Sequence, residues 1–227
     1  VAFSVRSTSK SGTGNTTISL TGVAAGAALV LGIVPMRDGT TAPTIPLTGA
    51  MVTGDLVAKA NTISSTSGYG GKSQIFVALN QTVGDKTVSL TFAGDSYWFI
   101  TLSEVIGVAL SSAVDVVATT GTGTSTAPST GTTAATAQAD EIAFAVMHHA
   151  YNGTDTITEP AGWTLIGEDQ AGSTTVAGSV ICKVLTATGT QNATWTSNRN
   201  AAYNAIMVTL KGASAPPSAS GQMLQMF

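Results

Sequence analysis

Two histidines, one cysteine and twelve carboxylates are the groups this chain offers to acid–base, metal or thiol chemistry. His148 and His149 are adjacent at the end of the strand-like run EIAFAVMH. Neighbours on a strand point to opposite faces, so a metal site here would need other ligands. No Cys/His spacing of a zinc site accompanies them, and the expectation is a solvated strand end. The carboxylates are scattered, many at turn positions: Asp38, Asp55, Asp85, Asp95 and Asp155. The pairs Gly54-Asp55, Gly84-Asp85 and Gly94-Asp95 follow from turn geometry. Calcium in such loops stays an open alternative, although they form no EF-hand loop. No two of them stand out as the pair that glycoside hydrolysis needs about 5 to 9.5 Å apart. There is no GxSxG. Gly68-Tyr69-Gly70-Gly71 lacks the Lys-Ser/Thr helix start of a phosphate cradle. A single Cys182 excludes an internal disulfide and is expected to be a small buried apolar residue. The expectation is therefore no catalytic residue, no cofactor and no metal.

The aromatic residues divide in two. Trp98 and Trp195 lie in strand-like runs and are expected in the core. Trp163 follows a Pro-Ala-Gly turn, and Tyr69 and Tyr151 lie in loop-like stretches, where a flat ring can stack on a sugar. A second candidate surface is the tail, residues 214–227. Pro216 and Pro217 favour an extended path. Met223, Leu224, Met226 and Phe227 then place four apolar side chains close together, as a docking peptide would.

What positions these groups is a repeat. Gly84 to Gly107 recurs as Gly189 to Gly212, each glycine shifted by 105 positions without a gap. Leu90 falls on Trp195, Trp98 on Tyr203, Leu102 on Met207 and Val105 on Leu210. Upstream, Ile75, Val77 and Leu79 fall on Val180, Cys182 and Val184. Apolar residues two apart mark half-buried strands. Strands are predicted at Phe3–Val5, 16–20, 27–34, 56–63, 75–79, 87–92 and 97–105. In the second copy they are predicted at 141–148, 163–166, 175–185, 193–196 and 203–210. Ile142, Phe144 and Val146 match Leu29, Leu31 and Ile33 at an offset of 113. Residues 10–15 read as a turn. Of residues 107–133, the first part reads as a strand in preference to a helical turn, and the Gly/Ser/Thr second part as a flexible or extended connection.

The expected fold is all-β: a two-sheet antiparallel jelly-roll sandwich over residues 1–213. It has two related halves, about 15–107 and 131–212, whose strands interleave in preference to forming two tandem sandwiches, followed by the tail. The composition agrees, with 25 glycines, 43% hydrophobic residues and only 9% charged residues. An average domain has about 25% charged residues, so this surface must be built from hydroxyls and amides. That suits a protein that sits against copies of itself. A net charge of −3 with no basic cluster excludes a nucleic-acid partner. No apolar run approaches the roughly 20 residues of a membrane span.

Over roughly residues 15–213 the chain resembles the jelly-roll domains of tailed-phage virion structural proteins. The residues that carry this are ISLTGVAAGAALVLGIV and YWFITLSEVIGV in the first half. In the second they are ADEIAFAV, ITEPAGWTLIGEDQAGS and NATWTSNRNAAYNAIMVTLKG. The resemblance implies a non-enzymatic role on the virion surface as capsid decoration (cement), head fibre or tail attachment. Its implied partners are copies of the chain and other virion proteins such as the major capsid protein. Related domains also serve as carbohydrate-binding modules and in bacterial surface proteins. The alternatives are therefore a lectin-like adhesive module for a host surface glycan, through Trp163, Tyr151 and Tyr69, or an extracellular filament subunit.

Overall fold

The computed structural model describes residues 2–35, 55–59, 73–92, 97–150, 156–169 and 176–213. They contain fourteen strands and no helix. These are β1 (Ser4–Thr13), β2 (Thr16–Val23), β3 (Ala28–Pro35), β4 (Asp55–Lys59), β5 (Gln74–Ala78), β6 (Gly84–Leu90) and β7 (Tyr97–Ile106). In the second half they are β8 (Val114–Ser125), β9 (Asp140–Ala150), β10 (Ile157–Thr158), β11 (Thr164–Asp169), β12 (Val176–Thr186), β13 (Thr196–Ser197) and β14 (Ala201–Lys211). The chain is an all-β sandwich. One five-stranded antiparallel sheet runs β1-β7-β3-β5-β4 and the other β8-β14-β9-β12-β11.

The two sheets correspond strand for strand. Shifting β5 and β7 by 105 positions gives β12 and β14, and the neighbours follow in the same order. The edge strands β4 and β11 even share an irregularity. Asp55 pairs with Val77 and Thr164 with Cys182, and in both the register slips at the next residue but one, between Leu56 and Ala58 and between Leu165 and Gly167. Gly12 on β1 lies under the Trp98 ring and Gly123 on β8 under the Tyr203 ring. A Cβ there would come within 3.3 and 3.4 Å of them. β8 needs two more residues than β1 for the same span, and two register shifts in its pairing with β14 accommodate them. Gly84 and Gly189, which begin the repeated stretch, both hold positive φ, 118° and 150°, a conformation that glycine adopts without steric cost.

Three sequence expectations change here. The halves do not interleave: each five-stranded sheet takes every strand from one half, β1 included. The offset of β3 to β9 is 114, not 113. Val30 pairs with Val77 and Phe144 with Cys182, so Val30 and Phe144 are equivalent. Both strands are apolar on both faces, so periodicity carried no phase, and a one-residue slip exchanges the faces. The expected turn at 10–15 is strand as far as Thr13, and β8 begins in the stretch read as strand but continues to Ser125 through Gly/Ser/Thr residues read as a connection. Thr, Ser and Gly are as much an edge strand as a linker when a neighbour supplies the ladder.

Packing has four layers. Between the sheets lies a core of Val30, Val34, Ile75, Val77 and Phe99 against Phe144, Val146, Val180, Ile206 and Val208. The outer face of the first sheet is covered by the β2–β6 ribbon over Leu29, Leu31, Ile100 and Trp98. The outer face of the second is covered by 126–136 and 189–197, which bond to each other through Thr130, Thr133, Ala193 and Trp195. Trp98 and Trp195 are buried as expected, their indole N–H groups donating to the Gly14 carbonyl at 2.7 Å and the Ser179 hydroxyl at 3.2 Å. Each sheet is thus apolar on both sides, which is why the central strands read as unbroken hydrophobic runs.

Candidate functional site

The ends of the sandwich differ. At one, the strands meet in short connections around Gly26, Gln81, Gly107 and Gly212. At the other, β3, β7, β9, β12 and β14 carry Val34, Phe99, His148, Gly178 and Asn204. A polar cluster is buried between the sheets at this second end. Asn204 lies opposite His148 on the neighbouring strand. The Asn204 Oδ1 accepts from the Ser73 backbone N–H at 3.3 Å and from the Ser73 hydroxyl. All three residues are fully buried. Ser73 thus bridges the first half to the second by a polar contact within the inter-sheet core.

The expected solvated strand end at His148-His149 is wrong. Both rings are fully buried, because β9 is the central strand of a sheet covered on both faces. They do face opposite sides. His149 points outward, its Nε2 3.3 Å from the Ser125 carbonyl. His148 points into the inter-sheet core, and neither ring nitrogen has a hydrogen-bond partner among the described residues. Burial, helped by His149, pushes its pKa down to about 3, so the ring is neutral. The Ser73 hydroxyl is engaged by Asn204 rather than by this imidazole, and this group of a serine, a histidine and an amide is sealed from solvent.

A second polar group lies at the opposite end, on the outer face of the second sheet. Glu141 is fully buried, and neither carboxylate oxygen accepts a well-formed hydrogen bond. Burial pushes its carboxyl up from the ordinary value. The Thr209 hydroxyl opposes that rise and the adjacent Asp115 carboxyl adds to it. Asp115 is held in place by the Ala137 N–H at 2.6 Å. An acid whose pKa rises on folding contributes stability below its unfolded value, and that contribution is lost as pH rises through the folded value. Glu141→Gln keeps the shape and stays neutral. It is expected to flatten this part of the stability–pH curve and to gain roughly 1 kcal/mol at neutral pH, the scale of one buried acceptor lacking a donor. Urea midpoints of parent and variant across pH check it: a variant curve parallel to the parent's sinks the idea.

Cys182 is buried and reduced, facing the inter-sheet core, and burial pushes its thiol up to about 11. It is the apolar residue the repeat implied. Trp163 is half-buried on the outer face of the second sheet, with the Lys183 ammonium 5.9 Å from the centre of its ring. Tyr69, Tyr151 and the tail residues Met223, Leu224, Met226 and Phe227 lie outside the described residues, so Trp163 alone of the candidate sugar-stacking rings is placed.

Among the described residues no three His, Cys, Asp or Glu side chains gather as a metal site. One shallow groove of about 440 Å³ opens on the β2–β6 ribbon, lined by Lys10, Asn15, Thr16, Thr17, Ser89, Leu90 and Thr91.

Sequence reasoning missed Ser73, Asn204 and the Glu141–Asp115 pair. At the offset of 114, His148 falls on Val34 and at 105 Asn204 falls on Phe99, both core residues. The repeat thus held the signal that these polar groups are inside. Compared with known proteins, the chain matches no family model, no curated protein and no solved structure.

Proposed function

We propose that the protein is a non-enzymatic structural component of a bacteriophage particle, a capsid decoration or fibre-type protein of the virion surface that acts by self-association and docking. In the first half the strands nest in chain order, β1 with β7, β2 with β6 and β3 with β5, and in the second β8 pairs with β14 and β9 with β12. That is the wrapping of a rolled hairpin, so each half reads as a small jelly roll and the chain as a duplicated pair. The single observation that carries the docking part is where the tail leaves. Ala213 is tied to the Gly107 carbonyl at 2.7 Å, next to Ile106 and Leu110, which are 45% and 55% exposed. The described chain thus ends, at Ala213, beside exposed apolar side chains.

In this reading Met223, Leu224, Met226 and Phe227 dock on a neighbouring copy or another virion protein, each burial worth about 1.5–3 kcal/mol. Deleting Met223–Phe227 is expected to leave circular dichroism and melting unchanged and to weaken assembly at least tenfold in sedimentation or particle-binding assays. Unchanged assembly after the deletion refutes the docking role.

A further inference from the structure

Edge strands present rows of unpaired N–H and C=O groups, and proteins blunt them with bulges, charges or covering segments. The two large sheets have four such edges: β1, β4, β8 and β11. Three are blunted. β4 and β11 each carry a bulge, and β11 ends in Glu168 and Asp169. β8 has two register shifts and is crossed by the following segment, whose Ser129 carbonyl lies close over Gly121.

β1 has none of these devices. It pairs with β7 through ten consecutive residues without a register shift, contains no proline, and pairs with no other strand among the described residues. Its two charges are turned back onto its own half. Arg6 donates to Glu104 at 2.7 Å and to the Thr21 carbonyl at 2.7 Å, and Lys10 donates to the Thr17 carbonyl at 3.3 Å. What remains along the strand is mostly serine and threonine.

We infer that β1 is the surface through which two copies of this chain join, edge to edge and antiparallel about a twofold axis, so that their first sheets continue as one. This rests on the self-association reading above and names its surface. A twofold perpendicular to the sheet pairs residues of the same face, so the axis passes through a residue. Centred on Thr8, it would set Arg6 opposite Lys10 of the second copy; centred on Lys10, it would set the two lysines opposite each other. Like charges directly opposite destabilise a ladder. Centred on Ser9, it avoids both and keeps Val5 to Thr13 in the overlap. Thr8 then faces Lys10 of the second copy, twice by symmetry. Beneath Ser9, β11 bulges at Gly167, where a Cβ would come within 3.2 Å of the Ser9 Cβ. A bulge there bends the lower edge and leaves β1 to make the contact.

This register gives one position two opposite outcomes. Thr8→Lys places two ammonium groups across the joint, and Thr8→Glu places a carboxylate opposite Lys10. In sedimentation equilibrium of the full chain at low salt, T8K is expected to weaken dimerisation about tenfold or more and T8E to tighten it, with the gap closing as salt rises. A purely structural role for Thr8 would move both variants the same way. Hydrogen exchange of the unmodified chain is a second measure: β1 amides are expected to gain protection with protein concentration. If T8K and T8E dimerise like the parent, or β1 amides stay unprotected, while deletion of Met223–Phe227 dissociates the parent, the edge pairing is wrong and self-association stands. A parent that sediments as a monomer at every concentration overturns both.

Discussion

Replacing His148 with valine is expected to make the protein markedly more resistant to acid. In the folded chain the His148 ring is sealed between the sheets with both nitrogens unpartnered among the described residues, and burial lowers its pKa from 6.5 to about 3. The unfolded chain therefore binds this proton first. A group held neutral in this way contributes its full stability above pH 6.5, and that stability is lost as pH falls from 6.5 to about 3. At about 1.36 kcal/mol per unit, the loss at the acid end is roughly 4–5 kcal/mol, a large share of the 5–15 kcal/mol that holds a typical domain together. No described carboxylate faces the ring to stabilise its charged form. The polar groups at its end of the core are Asn204 and Ser73, and His149 adds repulsion.

Valine is the substitution to make because Val34 occupies the equivalent place on β3 and packs there against Gly178, whose Cβ would stand 2.9 Å from it. At neutral pH the variant loses some packing volume and also two orphan polar atoms, so its stability is expected within about 1–2 kcal/mol of the parent. Urea midpoints measured from about pH 7 down to about pH 3.5 decide it. If parent and variant lose stability with the same slope below pH 6.5, His148 is not the group that titrates.

How far the sequence foretold this structure depends on what kind of signal each element needed. The gapless 105-residue repeat was legible because the glycines at its ends and the apolar residues between them recur at one spacing. Trp98 over Tyr203 and Leu102 over Met207 fall on equivalent outward faces, as expected. The phase of β3 against β9 was not legible, since strands buried on both faces have no polar side to set it. For the same reason His148-His149 looked like a strand end. Two polar residues after an apolar run usually mean solvent, but here the covering stretches 126–136 and 189–197 enclose the outer face. These stretches and β8 are rich in Thr, Ser, Ala and Gly, a composition that suits linker and strand equally until the partners that close the hydrogen bonds are known. The candidate chemistry fared likewise. Cys182 could be placed through the repeat, whereas the meeting of Ser73 with Asn204, 131 positions apart, is a product of the two halves facing each other.

Gly121→Ala tests most severely whether the stretch rich in Thr, Ser and Gly is strand and cover rather than linker, and is expected to cost about 3 kcal/mol or more. In the sequence Gly121 is one of several glycines in TTGTGTSTAPSTGTT and looks exchangeable. In the fold it lies on β8 opposite Ala205, where the chain crosses back as 126–136. A Cβ at this position would stand 2.0 Å from the Ser129 carbonyl oxygen and 2.6 Å from that of Ala205. Both obstacles are backbone, and neither is free to yield. Ala205 sits in the middle of β14, paired with β8 on one side and with Met147 of β9 on the other. Ser129 is bridged to Thr194, and its neighbours hold the cover over the outer core: the Thr130 N–H donates to the Ala193 carbonyl at 3.0 Å and the Trp195 N–H to the Pro128 carbonyl at 2.9 Å. Making room would lift that cover off Trp195. Gly123→Ala, two residues on in the same strand, meets only the flat Tyr203 ring at 3.4 Å, an ordinary contact, and is expected to cost less than about 1 kcal/mol. The two variants share composition, strand and loss of glycine. A linker would tolerate both equally, so equal urea midpoints for the two would mean that 126–136 is not laid over β8 as described.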